Sequence, residues 1–384
     1  MKLVHVVIGK ANPERPNGVN RAVHGLASAQ RRAGVDVEVW GLTVDARAET
    51  PSREYRLRLF RWRSLRRVDR ELLRALDHAD ADTVFHFHGG FQPEFHACAR
   101  RLAARGLPWI LTPHGAYRAP NVGRSRAKKR IYLALFDAFV LRGARAVQVF
   151  STCERDELLA LEPRARAVVV PNGQEPLARP VVAPSVRTSA APPSVARPSF
   201  GTCGRLVQHE KGLDLLIDGF ALHVRAGGAG ELMLVGDGPD RERLKSRALA
   251  AGVAERVRFV GELFGDAKLA QLAACDAFLQ PSRTEGMPMS VLEAAALGLP
   301  CVVSRETNLG EEIERWGAGL VLERNDAEDI AAALARVATL QERGELAELG
   351  LRGRAMIDAE FAWSSVARRT LVELYGAGAI DSLR

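Results

Sequence analysis

Two glutamates, Glu285 and Glu293, stand eight residues apart in the stretch TEGMPMSVLEAAALGLP (284–300). Pro288 suits the first position of a helix, where its missing N–H costs nothing. Gly298 suits a left-handed C-terminal cap. The spacing therefore predicts a helix over about 288–297, with Glu285, Gly286 and Met287 forming the turn before it. The free N–H groups and positive dipole end of such a helix favour an anion such as phosphate. Gly286 lets a ligand approach the backbone closely. Glu293 falls about one and a half turns into this helix, where Met289, Leu292 and Ala296 make an apolar face. A carboxylate among Ala and Leu is costly to bury unless something hydrogen-bonds it. Two readings stand: a ligand hydroxyl pair, such as a ribose diol, or exposure of Glu293 to solvent. The helical separation of the two acids, about 12 Å, lies outside the range for a glycosidase acid/base pair.

A second cluster lies in GTCGRLVQHEKGLDLLIDGF (201–220). A strand ends at Gly204-Arg205, and Lys211-Gly212 opens an amphipathic helix. Two cations at the carboxyl end of a strand could stabilise a diphosphate leaving group as its charge develops. Arginine offers a fork and lysine a point charge. Taken alone, the pair reads equally as surface charge. LVGDGPDRERL (234–244) is strand, glycine turn, helix, with Gly236 at the turn. VRFVGELF (257–264) ends a strand at Gly261, next to Leu263, and could present backbone to a flat ring. In the first half, NPERPNGVNRAVHGLA (12–27) is a loop feeding a helix, and Gly18 could let backbone N–H groups reach a phosphate. FHFHGG (85–90) and TPHGAY (112–117) each end a strand in His-Gly, which puts His114 at a strand's carboxyl end.

The elements that must position these residues alternate along the chain. Strands are expected at 2–8, 35–41, 55–60, 83–88, 109–112, 146–150 and 167–170, with helices at 20–32, 67–78, 93–105 and 128–141. A Pro/Ala/Ser-rich stretch over 175–198 then reads as a linker. Strands resume at 200–204, 232–236, 257–260, 277–280, 300–303 and 319–322. Helices are expected near 211–225, 239–251, 266–274, 288–297, 308–315 and 326–341. The fold class is α/β, with two doubly wound Rossmann-like domains, 1–175 and 200–362, joined by a linker over 176–199. Ligands bind such sheets at the strands' carboxyl ends, and a cleft between two facing sheets is the expected site.

Composition bounds the rest. At 384 residues and 47% apolar, the chain suits two cores. Residues 1–180 carry 31 Lys/Arg against 18 Asp/Glu, within a total of 54 against 46. A basic first half admits anionic membrane, phosphorylated substrate, nucleic acid or plain coding bias. Five scattered cysteines without a C-x-x-C argue against a disulfide framework or a zinc site and fit a reducing cytosol. No acidic triad suggests a bound metal, so none is expected, and no G-x-G-x-x-G follows the first strand, which disfavours a dehydrogenase. The Leu3–Ile8 run is too short for a signal peptide, and 131–141, broken by Asp137, is too short to span a bilayer. RLRLFRWRSLRR, Arg56 to Arg67, is either an edge strand leading into a helix or a patch for anionic lipid. A cytoplasmic protein, at the inner face of the membrane if that patch binds lipid, is expected.

Taken together, these residues resemble glycosyltransferase family 4, retaining enzymes of the GT-B fold. The E-x7-E pair Glu285/Glu293 carries most of the likeness, followed by Arg205 and Lys211. Gly18 and the His114-Gly115 pair match more loosely, because the family's first loop commonly reads Gly-Gly where this chain has Asn17-Gly18. TPHGAY followed by the basic 124–130 stretch looks like bacterial members that build surface polysaccharide.

The resemblance implies that Arg205 and Lys211 bind the donor diphosphate and Glu293 the ribose hydroxyls. Glu285 and the backbone of Gly286, Met287 and Pro288 would hold the sugar. N–H groups near Ser290 and Val291 would bind phosphate; Gly236, Gly261 and Leu263 would complete the donor site. Gly18 would close on the diphosphate, His114 would lie beside the sugar, and a final helix over 363–377 would cross back to the first domain. His114, Arg205, Lys211 and Glu285 form the expected catalytic set. The implied reaction moves a hexose from a GDP- or UDP-linked donor to a glycan or lipid-linked hydroxyl, without cofactor or metal. A sugar-nucleotide epimerase and a non-catalytic nucleic-acid-binding protein are the alternatives. No base-stacking aromatic pattern supports the latter.

Overall fold

The computed structural model describes residues 1–12, 18–47, 52–62, 68–118, 126–177 and 198–376. The chain forms two units, Met1–Gly173 with Ala362–Arg384, and Gln174–Phe361. Most of the expected linker, 178–197, lies outside the described residues.

Unit 1 is a seven-stranded parallel sheet in the order β3-β2-β1-β4-β5-β6-β7. Its strands are β1 (Lys2–Ile8), β2 (Asp36–Thr43), β3 (Arg56–Arg61), β4 (Thr83–His88), β5 (Trp109–Thr112), β6 (Ala146–Val149) and β7 (Ala167–Val169). Alternation decides what each face holds. On β4, Phe85 and Phe87 enter an apolar cluster with Trp40, Phe60, Leu72 and Phe95. His86 and His88, at the intervening positions, take the opposite face, where Tyr375 of the C-terminal segment bonds His86, and Gln30 of the Gly18–Arg32 helix bonds His5 on β1 and Tyr375. That segment, a helix over Trp363–Arg369 with a wider turn over Thr370–Leu374, packs on the Gly18–Arg32 helix. Trp363 fits there because Gly25 and Gly173 lack side chains; a Cβ on either would enter the indole.

Unit 2 is a six-stranded parallel sheet in the order β10-β9-β8-β11-β12-β13. Its strands are β8 (Ser199–Cys203), β9 (Glu231–Val235), β10 (Val257–Gly261), β11 (Ala277–Gln280), β12 (Cys301–Ser304) and β13 (Gly319–Leu322). In chain order this is 3-2-1-4-5-6, the doubly wound arrangement whose strand order reverses between its first and fourth strands. That switch point lies between β8 and β11. Short strands such as β11 and β12 are buried at every residue, as expected where helices cover both faces. Phe200, Leu216, Phe220, Leu234 and Leu279 centre the core; each contributes about 1.5–3 kcal/mol by burial.

The expected strands fall within about two residues of those observed. The helix expected over 128–141 spans 126–143 and contains a π turn at Leu133–Asp137. This turn widens the helix where Asp137 is buried, accepting hydrogen bonds from the Phe91 N–H at 2.9 Å and the Tyr117 hydroxyl at 2.8 Å. Two helices escaped sequence reasoning, Thr152–Leu161 and Leu346–Met356. The second carries Gly350 and Gly353, a residue type that weakens a helix interior. Gly350 lies against the Gly298 carbonyl, where a Cβ would not fit, so the glycine reflects close packing.

Candidate functional site

The loops after β8 and β11 meet at the switch point of unit 2. β8 runs into Gly204 and then Arg205, which is exposed and makes no side-chain hydrogen bond or ion pair among the described residues. A single helical turn, Gln208–Lys211, follows and ends at Gly212 in the left-handed region, φ 63°. A Cβ on Gly212 would run into the Pro281 carbonyl. The glycine therefore lets the β8 loop press against the β11 loop, and the ammonium of Lys211 bonds the Glu285 carboxylate. Arg283 reinforces the approach. Its guanidinium makes two bonds to Asp214, 2.7 and 2.8 Å, and one to the His209 carbonyl, 3.0 Å. Burial of Asp214 works against its charge, but Arg283 outweighs it and holds the carboxyl below its ordinary range.

Glu285 is further braced along its own loop. Ser290 donates to Gln280 at 3.2 Å, Gln280 to Ser282 at 2.8 Å, and Ser282 to Glu285 at 3.2 Å. The Asn308 amide holds the carbonyls of Glu285 and Gly286, and Asn308 takes a left-handed φ of 60° to do so. The helix begins at Met289 with Pro288 as its cap, one residue later than expected. The Val291 N–H is engaged by the Pro288 carbonyl at 3.1 Å. Gly298 caps the far end with φ 80°, as its position required.

Burial removes one of the two readings of Glu293, exposure to solvent. Lys268 bonds both Glu293 carboxylate oxygens, at 2.7 and 2.8 Å. Lys268, on the Gly265–Ala273 helix, was missed because its partner lies 25 positions away and no local pattern links the two. Buried ion pairs hold their geometry because losing one partner strands the other charge.

Three neighbouring strands end in glycine. Gly236 (φ 134°) lies against the Gly204 carbonyl, and its N–H bonds the Gly261 carbonyl at 2.8 Å. Gly261 has φ 91°. The glycines thus join the ends of β8, β9 and β10 by backbone contact; Leu263 lies half-buried just beyond. Met287 and Pro288 are buried and Gly286 is half-exposed. The structure therefore brings Lys211 and Glu285 into direct contact, sets Arg205 on the same β8 loop as Lys211, and gives Glu293 a separate partner.

In unit 1, Gly18 is the first residue of its helix, with open space where a Cβ would stand. The loop before it, 13–17, lies outside the described residues. Asn20, which sequence reasoning missed, ties that helix to the end of β1, accepting from the Ala11 N–H at 2.7 Å and donating to the Ile8 carbonyl at 3.2 Å. His114 follows β5 in a left-handed conformation, φ 52°. Buried Glu154 holds the turn by accepting from the Gly115 N–H at 3.1 Å and the Phe150 N–H at 2.8 Å. Burial pushes the His114 imidazole down to about 3 and, as the larger effect, raises the Glu154 carboxyl.

Two family models match the chain, one described as glycosyl transferase 4-like domain over residues 17–173 and one as glycosyl transferases group 1 over 197–339. The chain is 32% identical over 181 residues to a GDP-mannose-dependent alpha-(1-6)-phosphatidylinositol monomannoside mannosyltransferase of Mycobacterium tuberculosis, covering 45% of this chain and 46% of that protein. It is 31% identical over 286 residues to a 2-deoxystreptamine N-acetyl-D-glucosaminyltransferase of Streptomyces fradiae, covering 72% of this chain and 63% of the relative. The matches thus span about half to two thirds of these relatives. Sucrose-phosphate synthase from Thermosynechococcus elongatus shares the fold, with a TM-score of 0.75 at 20% identity over 98% of both chains.

Proposed function

This chain belongs to the glycosyl transferase 4-like family, and from that premise we propose that it is a retaining hexosyltransferase using a nucleotide-diphosphate sugar. The observation that carries the reading is the Lys211–Glu285 contact at the unit 2 switch point, with Arg205 exposed on the same loop. In the proposed reaction, the bond between the anomeric carbon and the diphosphate breaks and its electron pair passes to the phosphate oxygen. Lys211 and Arg205 stabilise that growing negative charge, where electrostatic catalysis is most effective. The acceptor hydroxyl bonds the anomeric carbon on the same face and gives its proton to the departing phosphate oxygen. Glu285 orients Lys211 in the free enzyme and holds sugar hydroxyls once the diphosphate draws the lysine away. Glu293, fixed by Lys268, offers its remaining acceptor capacity to the ribose hydroxyls. The donor roles of Gly18, Gly236, Gly261, Leu263 and His114 belong to the same proposal, as does independence from metal.

The acceptor is proposed to be a glycan or lipid-linked hydroxyl in surface polysaccharide synthesis. The name of the mannosyltransferase relative describes a phosphatidylinositol-linked acceptor. The Arg56–Arg67 run offers little apolar surface for lipid in its described part: Phe60 is buried and Trp62 donates to Glu94 at 2.8 Å. Its residues 63–67 lie outside the described residues. A better surface is the 126–143 helix. Ile131 is 60% exposed, Leu135 65%, Phe136 39% and Phe139 41%, with exposed Lys128 and Arg130 before them and Arg142 after. Apolar side chains between cations suit the interface of an anionic bilayer. Among the described residues, no helix is long and apolar enough to cross a membrane.

A thermal-shift screen of GDP- and UDP-sugars, followed by transfer assays in EDTA with the responding donor, tests the reading. The expected result is one stabilising donor class and a product that keeps the donor's anomeric configuration. Inversion, or failure of every nucleotide sugar to bind, would overturn it. Flotation with anionic vesicles tests the lipid surface, and Leu135→Asp should abolish binding.

A further inference from the structure

The polar face of the unit 1 sheet holds a chain of hydrogen bonds whose direction can be read from one end to the other. His5 on β1 and His86 and His88 on β4 are all buried. One ring nitrogen from each lies within 4.8 Å of the other two, close enough for a metal ion. Each ring nitrogen nevertheless has a hydrogen-bond partner, and the partners fix which one carries the proton.

The Ala367 carbonyl can only accept. Thr370 gives it a hydroxyl proton at 2.7 Å, so Thr370 must accept from the Gln30 amide nitrogen at 3.1 Å. The Gln30 oxygen then faces His5 Nε2 at 2.7 Å, and that nitrogen carries the proton. A neutral imidazole has a single N–H, so His5 Nδ1 accepts, from His88 Nε2 at 2.9 Å. His88 Nδ1 accepts in turn from His114 Nε2 at 3.1 Å. His114 Nδ1 is left as a bare lone pair with no partner among the described residues, on a half-buried residue.

A second branch obeys the same rule. The Val170 carbonyl accepts from the Gln148 amide at 2.9 Å, so the Gln148 oxygen accepts from Thr112 at 2.7 Å. Thr112 accepts from His86 Nε2 at 2.6 Å, and His86 Nδ1 accepts from Tyr375 at 2.7 Å. Gln30 also donates to Tyr375, at 3.4 Å, and so anchors both branches.

Neutrality, on which the argument depends, follows from burial. Desolvation lowers His5 to about 4 and His114 to about 3, and takes His86 and His88 well below the ordinary value.

We propose that Gln30, acting through His5 and His88, sets the tautomer of His114 so that its free nitrogen presents a hydrogen-bond acceptor to a ligand hydroxyl. Gln30, His5 and His88 are positioning residues. An acceptor nitrogen suits a sugar or polyol hydroxyl and repels a phosphate or carboxylate oxygen. The ligand half of this inference rests on the sugar-transfer reading; the tautomer half rests on the hydrogen bonds alone. An orienting partner on the far nitrogen is how proteins select the chemistry of an imidazole.

Long-range proton–nitrogen NMR of the uniformly 15N-labelled free protein tests the tautomer directly, with assignments from single histidine substitutions. At about pH 7.5, where the lowered histidines are neutral, His5, His88 and His114 should each show a protonated Nε2 and a bare Nδ1. A protonated Nδ1 on His114 would overturn the proposal, and this measurement stands even if no Gln30 variant folds. In Gln30→Met the terminal acceptor is gone, and the Nδ1–H form of His114 should rise about tenfold, the worth of one hydrogen bond. A folded Gln30→Met protein with an unchanged His114 tautomer would refute the relay. Saturating donor sugar nucleotide should move the His114 Nδ1 resonance, and inorganic phosphate alone should leave it in place. If the tautomers are as stated but the donor leaves Nδ1 unmoved, the hydroxyl-binding half is wrong and the relay stands.

Discussion

Lowering the pH from about 7.5 to about 5 should destabilise unit 1. Burial holds His5 down to about 4 against an ordinary value of about 6.5. A histidine lowered in this way leaves stability unaffected above about 6.5. As the pH falls toward the folded value, the unfolded chain gains protons that the folded chain refuses, and stability is lost. At about pH 5 the gap is about 1.5 pH units, or about 2 kcal/mol for His5 alone. His86 and His88 are displaced in the same direction by the same burial and add to the loss.

Two acids oppose it. Burial raises Asp137 to about 6 and also raises Glu154. Such acids destabilise the fold when ionised, and acidification relieves them. For Asp137 the return is about 1 kcal/mol by about pH 5. His114, lowered to about 3 by the same burial, adds to the loss as well, so the histidines outweigh the acids and the net change is a loss of stability. Amide hydrogen exchange in β1 and β4 across this range reads it, supported by urea unfolding followed through tryptophan fluorescence. Protection that is flat or rises toward pH 5 would refute the claim that these histidines are buried and neutral.

Substitutions at four positions probe unit 2. Lys211→Ala should lower kcat about 10²- to 10³-fold, as for loss of one electrostatic donor, with little change in melting temperature; an unchanged rate would count against the leaving-group role. Lys268→Met strands the buried Glu293 and should cost about 3–5 kcal/mol in urea unfolding. Adding Glu293→Met should recover most of that while abolishing donor affinity. Gly212→Ala combines a left-handed φ with a clash at the Pro281 carbonyl, so it should lose more than about 1 kcal/mol and separate Lys211 from Glu285, lowering activity beyond its effect on the melting temperature.

Much of this fold is legible locally. Parallel strands covered on both faces must be apolar, and their helices must be amphipathic, so the alternation placed thirteen strands within about two residues. Caps are local too, which is why Gly298 marked the end of its helix. The Leu346–Met356 helix was hidden because Gly350 and Gly353 answer to Gly298 and Ala295, neighbours in space and distant in sequence.

The same division runs through the site. The order of residues placed Arg205, Lys211 and Glu285 on loops at strand ends, because the period of the hydrophobic pattern fixes where strands stop. It could not join Lys211 to Glu285 across 74 positions, give Glu293 its lysine, or link four separate histidines in one hydrogen-bonded network with Gln30. Those pairings arise only when strands from remote segments come into register and helices close over them. By itself the sequence determined the elements and the chemistry of their ends. The tertiary structure decided which polar groups, withdrawn from water, must satisfy one another, because the cost of burying a charge or an N–H is met by whatever partner the fold brings within reach.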